Sequence, residues 1–284
     1  MPLLSICIIT YNRSRDCDET ARAFLREING RWDQIELIIA DNASTDDTRE
    51  LIEGLPERER IQYVRHAENL GAIGNYIYGL RTAKGEYVWI AGDDDKYHPG
   101  VVDKVLEVIK SRAPGLIHLN CEVKDGYDGQ LITASYYGLT AMVAQVDSVR
   151  TMQYMLAVDD GGFTFISCNV MKTALAREQI SRPGFISTLA TPLEVTICCG
   201  LAGGFYFVRE ILVTGYFNAN SWSANLADFY FWGRPVAWMA MWRRGLRTVV
   251  LLRRLATLAS AQTARYYWKS PARLGAVLRR ALRG

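Results

Sequence analysis

Along the first 120 positions, apolar residues follow two alternating rhythms. Short continuous runs (Leu3 to Thr10, Ile35 to Ala40, Ile61 to Arg65, Glu86 to Ala91, Leu116 to Cys121) have the length and β-branched content of buried strands. Between them apolar positions recur three or four apart: Cys17, Ala21, Phe24, Leu25 and Ile28, then Leu51 and Ile52, then Ile73, Ile77 and Leu80, then Val102, Val105, Leu106 and Ile109. Each set marks one face of a helix. Ser44, with Asp47 three residues on, predicts the start of the second helix, and Pro99 precedes the last. This alternation predicts right-handed βαβ units around a mostly parallel, Rossmann-like α/β sheet flanked by helices.

Polar residues cluster where the predicted strands end. Tyr11-Asn12, Asp41-Asn42, His66 to Asn69 and Asp93 to Asp95 each follow a strand, and open α/β sheets bind ligands along that carboxyl edge. No GxGxxG follows the first strand and no GxxxxGK[ST] occurs anywhere, so a nucleotide bound here needs another way to neutralise phosphate. Asp93-Asp94-Asp95 supplies one: adjacent carboxylates repel one another, and Mg²⁺ or Mn²⁺ takes one or two of them together with phosphate and water oxygens. The plainer alternative is that the three acids cap the helix after Pro99.

Composition adds an asymmetry. The 284 residues carry a net charge of +3, yet Phe229 to the end holds 12 Arg and Lys and no Asp or Glu, leaving 21 basic and 30 acidic residues before it. That tail alternates Arg pairs with apolar and aromatic runs, as interfacial membrane helices do. A packed appendage that forms an oligomer interface is the alternative, and a nucleic-acid interface is not expected. No run of 18 apolar residues predicts a membrane span, and Met-Pro-Leu-Leu-Ser-Ile has no basic leader region. The six cysteines show no CxxC and read as buried, reduced thiols of a cytosolic chain.

The segments at 4–13 (LSICIITYNR), 40–48 (ADNASTDDT), 68–75 (ENLGAIGN) and 84–95 (KGEYVWIAGDDD) together resemble glycosyltransferase family 2. The resemblance is nearest to bacterial O-antigen and capsule sugar transferases of the abequosyltransferase type, supported by FTFISCNVM at 163–171. It implies the GT-A fold and a metal-dependent, hexosyltransferase-type enzyme using a nucleoside-diphosphate sugar. It implies that Thr10, Tyr11 and Asn12 contact the donor and that Asp41 bonds its base or ribose, with Asn69 nearby. Gly92 stands where many members have a first aspartate. That departure leaves Asp94 as the foremost metal ligand, Asp93 as a ribose or second metal contact, and Asp95 as a helper or a cap. Each residue also has a plainer role. Tyr11-Asn12 can form a turn, Asp41 can close an Asx turn, and Asn69 and Asn75 can shape the crevice. Asp46 and Asp47 read as first-turn helix acids.

Inverting displacement needs a base for the acceptor hydroxyl. The family places it in the second half, where Thr191 to Gly204 contains one carboxylate, Glu194. Thr191-Pro-Leu-Glu194 also reads as a capping box with Pro at the first helical position, so Glu194 has a structural reading too. Asp160, beside Asp159, is the fallback; His66, His98 and His118 read as structural, with His98 near enough to the acids to serve as an extra ligand.

The chain therefore divides into a donor-binding half (1–122), an acceptor and catalytic-base half of the same domain (123–222), and a basic, aromatic helical appendage (223–284) that associates with membrane or with a second copy. The expected activity is inverting transfer to a polyprenyl-diphosphate-linked glycan in surface polysaccharide synthesis, peripheral on the cytoplasmic face of the inner membrane. The alternatives are a nucleotidylyltransferase, which would need a Gly-rich basic loop after the first strand, and a non-catalytic nucleotide-sugar-binding scaffold.

Overall fold

The computed structural model describes residues 1–135, 149–158, 162–217 and 233–243. β1 (Leu4–Thr10) lies between β2 (Ile35–Asp41) and β4 (Tyr87–Gly92), parallel to both, and β3 (Gln62–Arg65) pairs parallel to β2 on the outside. A strand covered on both faces reads as an unbroken apolar run, which is why β1, β2 and β4 were legible. Helices α1 (Ser14–Ile28), α2 (Thr48–Glu53) and α4 (Val101–Arg112) pack with alternate residues of these strands, Leu4, Ile6, Ile8, Leu37 and Ile39. On the opposite face Cys7, Ile38, Ala40, Val88 and Ile90 pack with α3 (Gly71–Thr82), α6 (Thr173–Ser181) and α7 (Thr191–Gly203).

Beyond β4 the sheet departs from the parallel expectation. β8 (Asn169–Lys172) inserts antiparallel between β4 and β6 (Leu116–Asp125), so β6 keeps the direction of β4 without touching it. β9 (Phe205–Phe217) pairs parallel to β6 and holds the two-residue β5 (Lys96–Tyr97) antiparallel at the far edge; β7 (Leu131–Thr133) hangs from β6 as a hairpin. A strand contributed from 50 residues later cannot be ordered by local periodicity. Because 169–217 completes the sheet begun by 4–125, the two halves share one sheet and its cores.

Two predicted helix starts, those of α2 and α7, are corrected, and the capping alternative for the aspartates is excluded. α2 begins at Thr48 rather than Ser44, whose backbone amide and hydroxyl instead bind Asp41 and the Asn12 amide. α4 is not capped by the aspartate run: its first amides, Gly100 at 3.0 Å and Val102 at 3.4 Å, point at the carboxylate of Glu27 on α1. α7 takes Ala190 as N-cap, and the Thr191 hydroxyl accepts from the Thr188 amide at 2.9 Å, so no capping box with Glu194 forms. In each case a residue distant in sequence or just outside the helix satisfied the exposed donors first.

The remaining described helices are α5 (Val149–Val158) and α8 (Arg234–Arg243). α8 packs on α7 with Val236, Ala237, Trp238 and Met241 buried, so this stretch of the basic tail belongs to the folded body. Phe229 to Trp232 and 244–284 lie outside the described residues, and no described helix is long and apolar enough to cross a membrane.

Candidate active site

β4 ends at Gly92, and the chain turns sharply through Asp93, Asp94 and Asp95 before β5 carries it away toward β9. The turn is held from three sides. Thr20 on α1 donates to the Asp93 carbonyl at 2.9 Å; Ser167 accepts from the Gly92 amide at 2.9 Å; the Tyr97 hydroxyl reaches Ser167 Oγ at 2.9 Å. The three carboxylates then differ sharply. Asp93 and Asp95 are buried, whereas the Asp94 side chain is 20% exposed. Arg13 Nη1 sits 2.9 Å from Asp93 Oδ1 and 3.0 Å from Asp94 Oδ2. Asp93 Oδ2 is buried with no hydrogen bond. Burial, then repulsion from Asp94, pushes the Asp93 carboxyl up to about 6 against the pull of Arg13. Burial and Asp94 likewise push Asp95 up to about 7, although Ser167 and the Tyr216 amide favour its charged form.

Such a turn is short of positive charge. A Cβ added at Gly92 would lie 3.1 Å from Asp95 Oδ2, 3.1 Å from Ser167 Oγ and 3.2 Å from Asp94 Oδ1. Gly92 therefore sits in a close cradle bordered by two carboxylates, which the Cβ of a first aspartate would crowd. Among the described residues no group of three His, Cys, Asp or Glu is placed to hold a metal ion, and Asp94 and Asp95 are the carboxylates that border the Gly92 cradle. Oxygen donors of this kind suit Mg²⁺ or Mn²⁺, and Asp94 and Asp95 are the residues that would hold such an ion.

The other strand ends lie on the same edge. Tyr11 is exposed at its rim, while Asn12 takes a left-handed φ of 53° and accepts from the Thr45 amide, so it builds the turn. Thr10 is buried beside Asp93, where its hydroxyl favours the charged form of that carboxylate. Asp41 is fully buried; Oδ1 accepts from the Ser44 amide at 2.8 Å and Oδ2 from the Tyr63 hydroxyl at 2.7 Å, with Arg65 Nε at 3.7 Å. The Asx-turn role is thus realised, whatever donor contact is added to it. Asn42 ties two loops together: its amide nitrogen bonds the Thr10 carbonyl, its Oδ1 accepts from Leu70 N, and its Nδ2 donates to Asn69 Oδ1. Asn75 donates to the Ala40 carbonyl and pairs with His66. Asp46 receives the Ser14 and Thr48 amides, a structural role as read. Next to Asp41, Arg49, Glu53, Arg58, Tyr63, Arg65 and His66 line an open cavity of about 450 Å³.

In the second half, Glu194 is wholly buried and forms an ion pair with Arg182, which follows α6. Since α7 leads down into the start of β9, its first turn points toward the carboxyl edge of the sheet, but the carboxylate itself faces Arg182. Asp159 and Asp160 lie outside the described residues. His98 is turned from the acids: Nδ1 donates to the Ile211 carbonyl at 3.0 Å and Nε2 meets Thr214 Oγ1 at 2.8 Å. His118 is buried beside Asn169 and Phe163, and burial lowers it to about 4. All six cysteines are buried and none forms a disulfide.

Sequence reasoning missed Arg13, Ser167 and Arg182. Arg13 had a usable signal, a cation one step past the Tyr-Asn turn; Ser167 and Arg182 become legible only when β8 and α6 are placed.

A sheet whose carboxyl edge gathers an acidic turn and a buried aspartate matches one family model, "Glycosyl transferase family 2", over residues 5–173, more than half of the chain. The chain belongs to glycosyltransferase family 2. It is 39% identical over 95 residues to abequosyltransferase RfbV of Salmonella typhimurium, a match covering 33% of this chain and 28% of that protein. The aligned segment is thus well under half of that relative's length. Among solved structures, S. aureus TarS 1–349 in complex with UDP-GlcNAc superposes with a TM-score of 0.66 at 14% identity, covering 94% of this chain and 76% of that one. Mannosyltransferase PcManGT of Pyrobaculum calidifontis, in complex with GDP-Man and Mn²⁺, gives 0.57 at 17% identity, covering 100% and 76%. These likenesses establish the GT-A fold of this family 2 transferase.

Proposed function

We propose that this family 2 enzyme transfers a sugar, with inversion, from a nucleoside-diphosphate sugar to a hydroxyl of a lipid-linked glycan, using a divalent cation. The observation that carries the reading is the Gly92–Asp95 turn: two buried acids with raised protonation around a close, side-chain-free cradle, on the edge that also presents Tyr11 and Asp41. Strands lie about 4.8 Å apart, so the β4 turn and the β3 edge are separated by about 14 Å, a span suited to a nucleoside diphosphate. The diphosphate would lie at Asp94 and the nucleoside toward Asp41 and the arginine-lined cavity. When bound, the cation would offset charge on the departing diphosphate. Asp94 and Asp95 would hold it, Ser167 and Thr20 would keep their turn rigid, and Arg13 would hold Asp93. The complexes of TarS with UDP-GlcNAc and of PcManGT with GDP-Man and Mn²⁺ support the donor class and the ion.

The acceptor proton is assigned to Glu194 with Asp160 as the alternative; for Glu194 to receive it, Arg182 must first withdraw. A surface-polysaccharide acceptor on a polyprenyl diphosphate is supported by the likeness to an abequosyltransferase and by the basic tail, which would hold the enzyme at the cytoplasmic membrane face. Thermal-shift screening with UDP, CDP, GDP and dTDP, with and without Mn²⁺, tests the reading. A cation-dependent rise with one nucleotide, followed by hydrolysis of the matching sugar donor, is expected. No cation-dependent response to any of the four would sink it.

A further inference from the structure

Arg13 occupies an unusual place. It immediately precedes α1, and a single nitrogen, Nη1, lies 2.9 Å from Asp93 and 3.0 Å from Asp94. Asp93 is 4% exposed and its second oxygen is buried without a hydrogen bond, so this carboxylate cannot easily give up its cation to water. Asp94 is five times more exposed, at 20%, and its other oxygen borders the Gly92 cradle. The two halves of this bridge are therefore unequal. The Asp93 half is anchored by burial, and the Asp94 half is the one that solvent, or a competing cation, can replace.

We propose that Arg13 is a resident counter-cation that holds Asp94 while the cradle has no divalent ion and yields Asp94 when one enters. It stays on Asp93 and turns the N–H released by Asp94 to the donor's diphosphate. The inference rests on the cation-dependent reading above. A guanidinium is suited to the exchange, because its planar fork can keep one carboxylate while presenting other N–H groups to phosphate oxygens. Two consequences follow. Arg13 opposes binding of the cation alone, since the ion must displace it. It also makes cation and nucleotide bind cooperatively, since the displaced donors gain a phosphate partner only when both are present. Arg13 is thus a positioning residue that couples two ligands.

The test is Mn²⁺ binding to the full chain, followed by electron paramagnetic resonance of the free ion, without nucleotide and then with the nucleoside diphosphate that gives the strongest thermal shift. Wild type, Arg13→Gln and Arg13→Lys are compared, with circular dichroism and thermal midpoint recorded for each. Arg13→Gln is expected to bind Mn²⁺ alone about fivefold more tightly than wild type, the worth of one partly exposed ion pair, and to lose the tightening that nucleotide gives the wild type. Arg13→Lys, which keeps the charge without the fork, should bind the bare ion much as wild type does yet show a reduced nucleotide effect. Binding of bare Mn²⁺ by Arg13→Gln that is no tighter than wild type, in a folded variant, overturns the proposal. If Arg13→Gln does not fold, an undiminished nucleotide effect in Arg13→Lys overturns it. Wild type that binds no Mn²⁺ with or without nucleotide removes the cation reading itself, a separate and recognisable failure.

Discussion

At the scale of single residues, the three neighbouring aspartates do different things, and burial separates them. Asp94, the most exposed, is the one that the proposed ion and donor would both meet. Asp94→Asn should lower turnover at least about a hundredfold, as loss of a group opposing transition-state charge does. Circular dichroism and thermal midpoint should stay near wild type, since asparagine keeps the shape of Asp94 and Arg13 keeps its ion pair with Asp93. Asp95 carries a pH dependence. Its folded value of about 7 and that of Asp93, about 6, both lie above the ordinary 3.8. A raised carboxyl favours its protonated form in the fold, so its stabilising contribution is present below pH 3.8 and lost as pH rises through 6 and 7. His118, lowered to about 4 from 6.5, works the other way over its own range. Comparison with Asp95→Asn isolates the acid. In chelator the variant should gain thermal midpoint relative to wild type between pH 4.5 and 8, and Mn²⁺ should erase that gain at pH 8; parallel curves would contradict the assignment. Asp94 and the acid run were legible because nothing else on the chain concentrates charge after an apolar strand. Their inequality was not, because exposure is set by Thr20, Ser167 and Arg13, all three more than 70 positions away from the residues of the turn they touch.

At the scale of elements, strands and helix faces were legible and helix ends were not. An end is decided by whichever acceptor reaches its first amides. Glu27 reaches those of α4 from α1, and no spacing rule connects residues 73 apart. Glu27→Ala should cost about 1–2 kcal/mol in chemical denaturation, comparable to loss of a helix cap. Glu27→Gln should recover part of that, because an amide oxygen still accepts. Ser167 has the corresponding position for the catalytic turn, between Gly92 and Tyr97. Ser167→Ala leaves the Gly92 amide without that partner in a buried place and should cost about 1–3 kcal/mol. Because the turn loosens, it should also raise the KM for donor more than it lowers kcat; an unchanged KM would mean that Ser167 supports only the fold.

At the scale of the whole molecule, the base question becomes a question about a buried ion pair. Removing one partner of such a pair is expected to cost about 3–5 kcal/mol, whereas replacing both with apolar groups is far milder. Glu194→Gln should therefore destabilise strongly, and Arg182→Leu with Glu194→Leu should recover most of the loss in urea midpoint. If Glu194 receives the acceptor proton, the double variant regains stability but not turnover. If the pair only supports the fold, it regains both. The described part of the tail gives a second lesson at this scale. Trp238, which looked ready for a membrane, is buried against the body with Arg234 over its ring at 5.0 Å. Amphipathicity states that an apolar face must be covered and does not state by what.

The sequence alone determined the main strands and helices of the first 120 residues, the parallel character of that part of the sheet and the edge on which the acids sit. All of these follow from periodicities that a short stretch of chain carries within itself. Only the tertiary structure decided that β8 would part β4 from β6, that Glu194 would face Arg182, and that Arg13 would bridge Asp93 and Asp94. Each of those joins residues distant along the chain, and burial, charge and hydrogen-bond satisfaction are settled by which groups packing brings together.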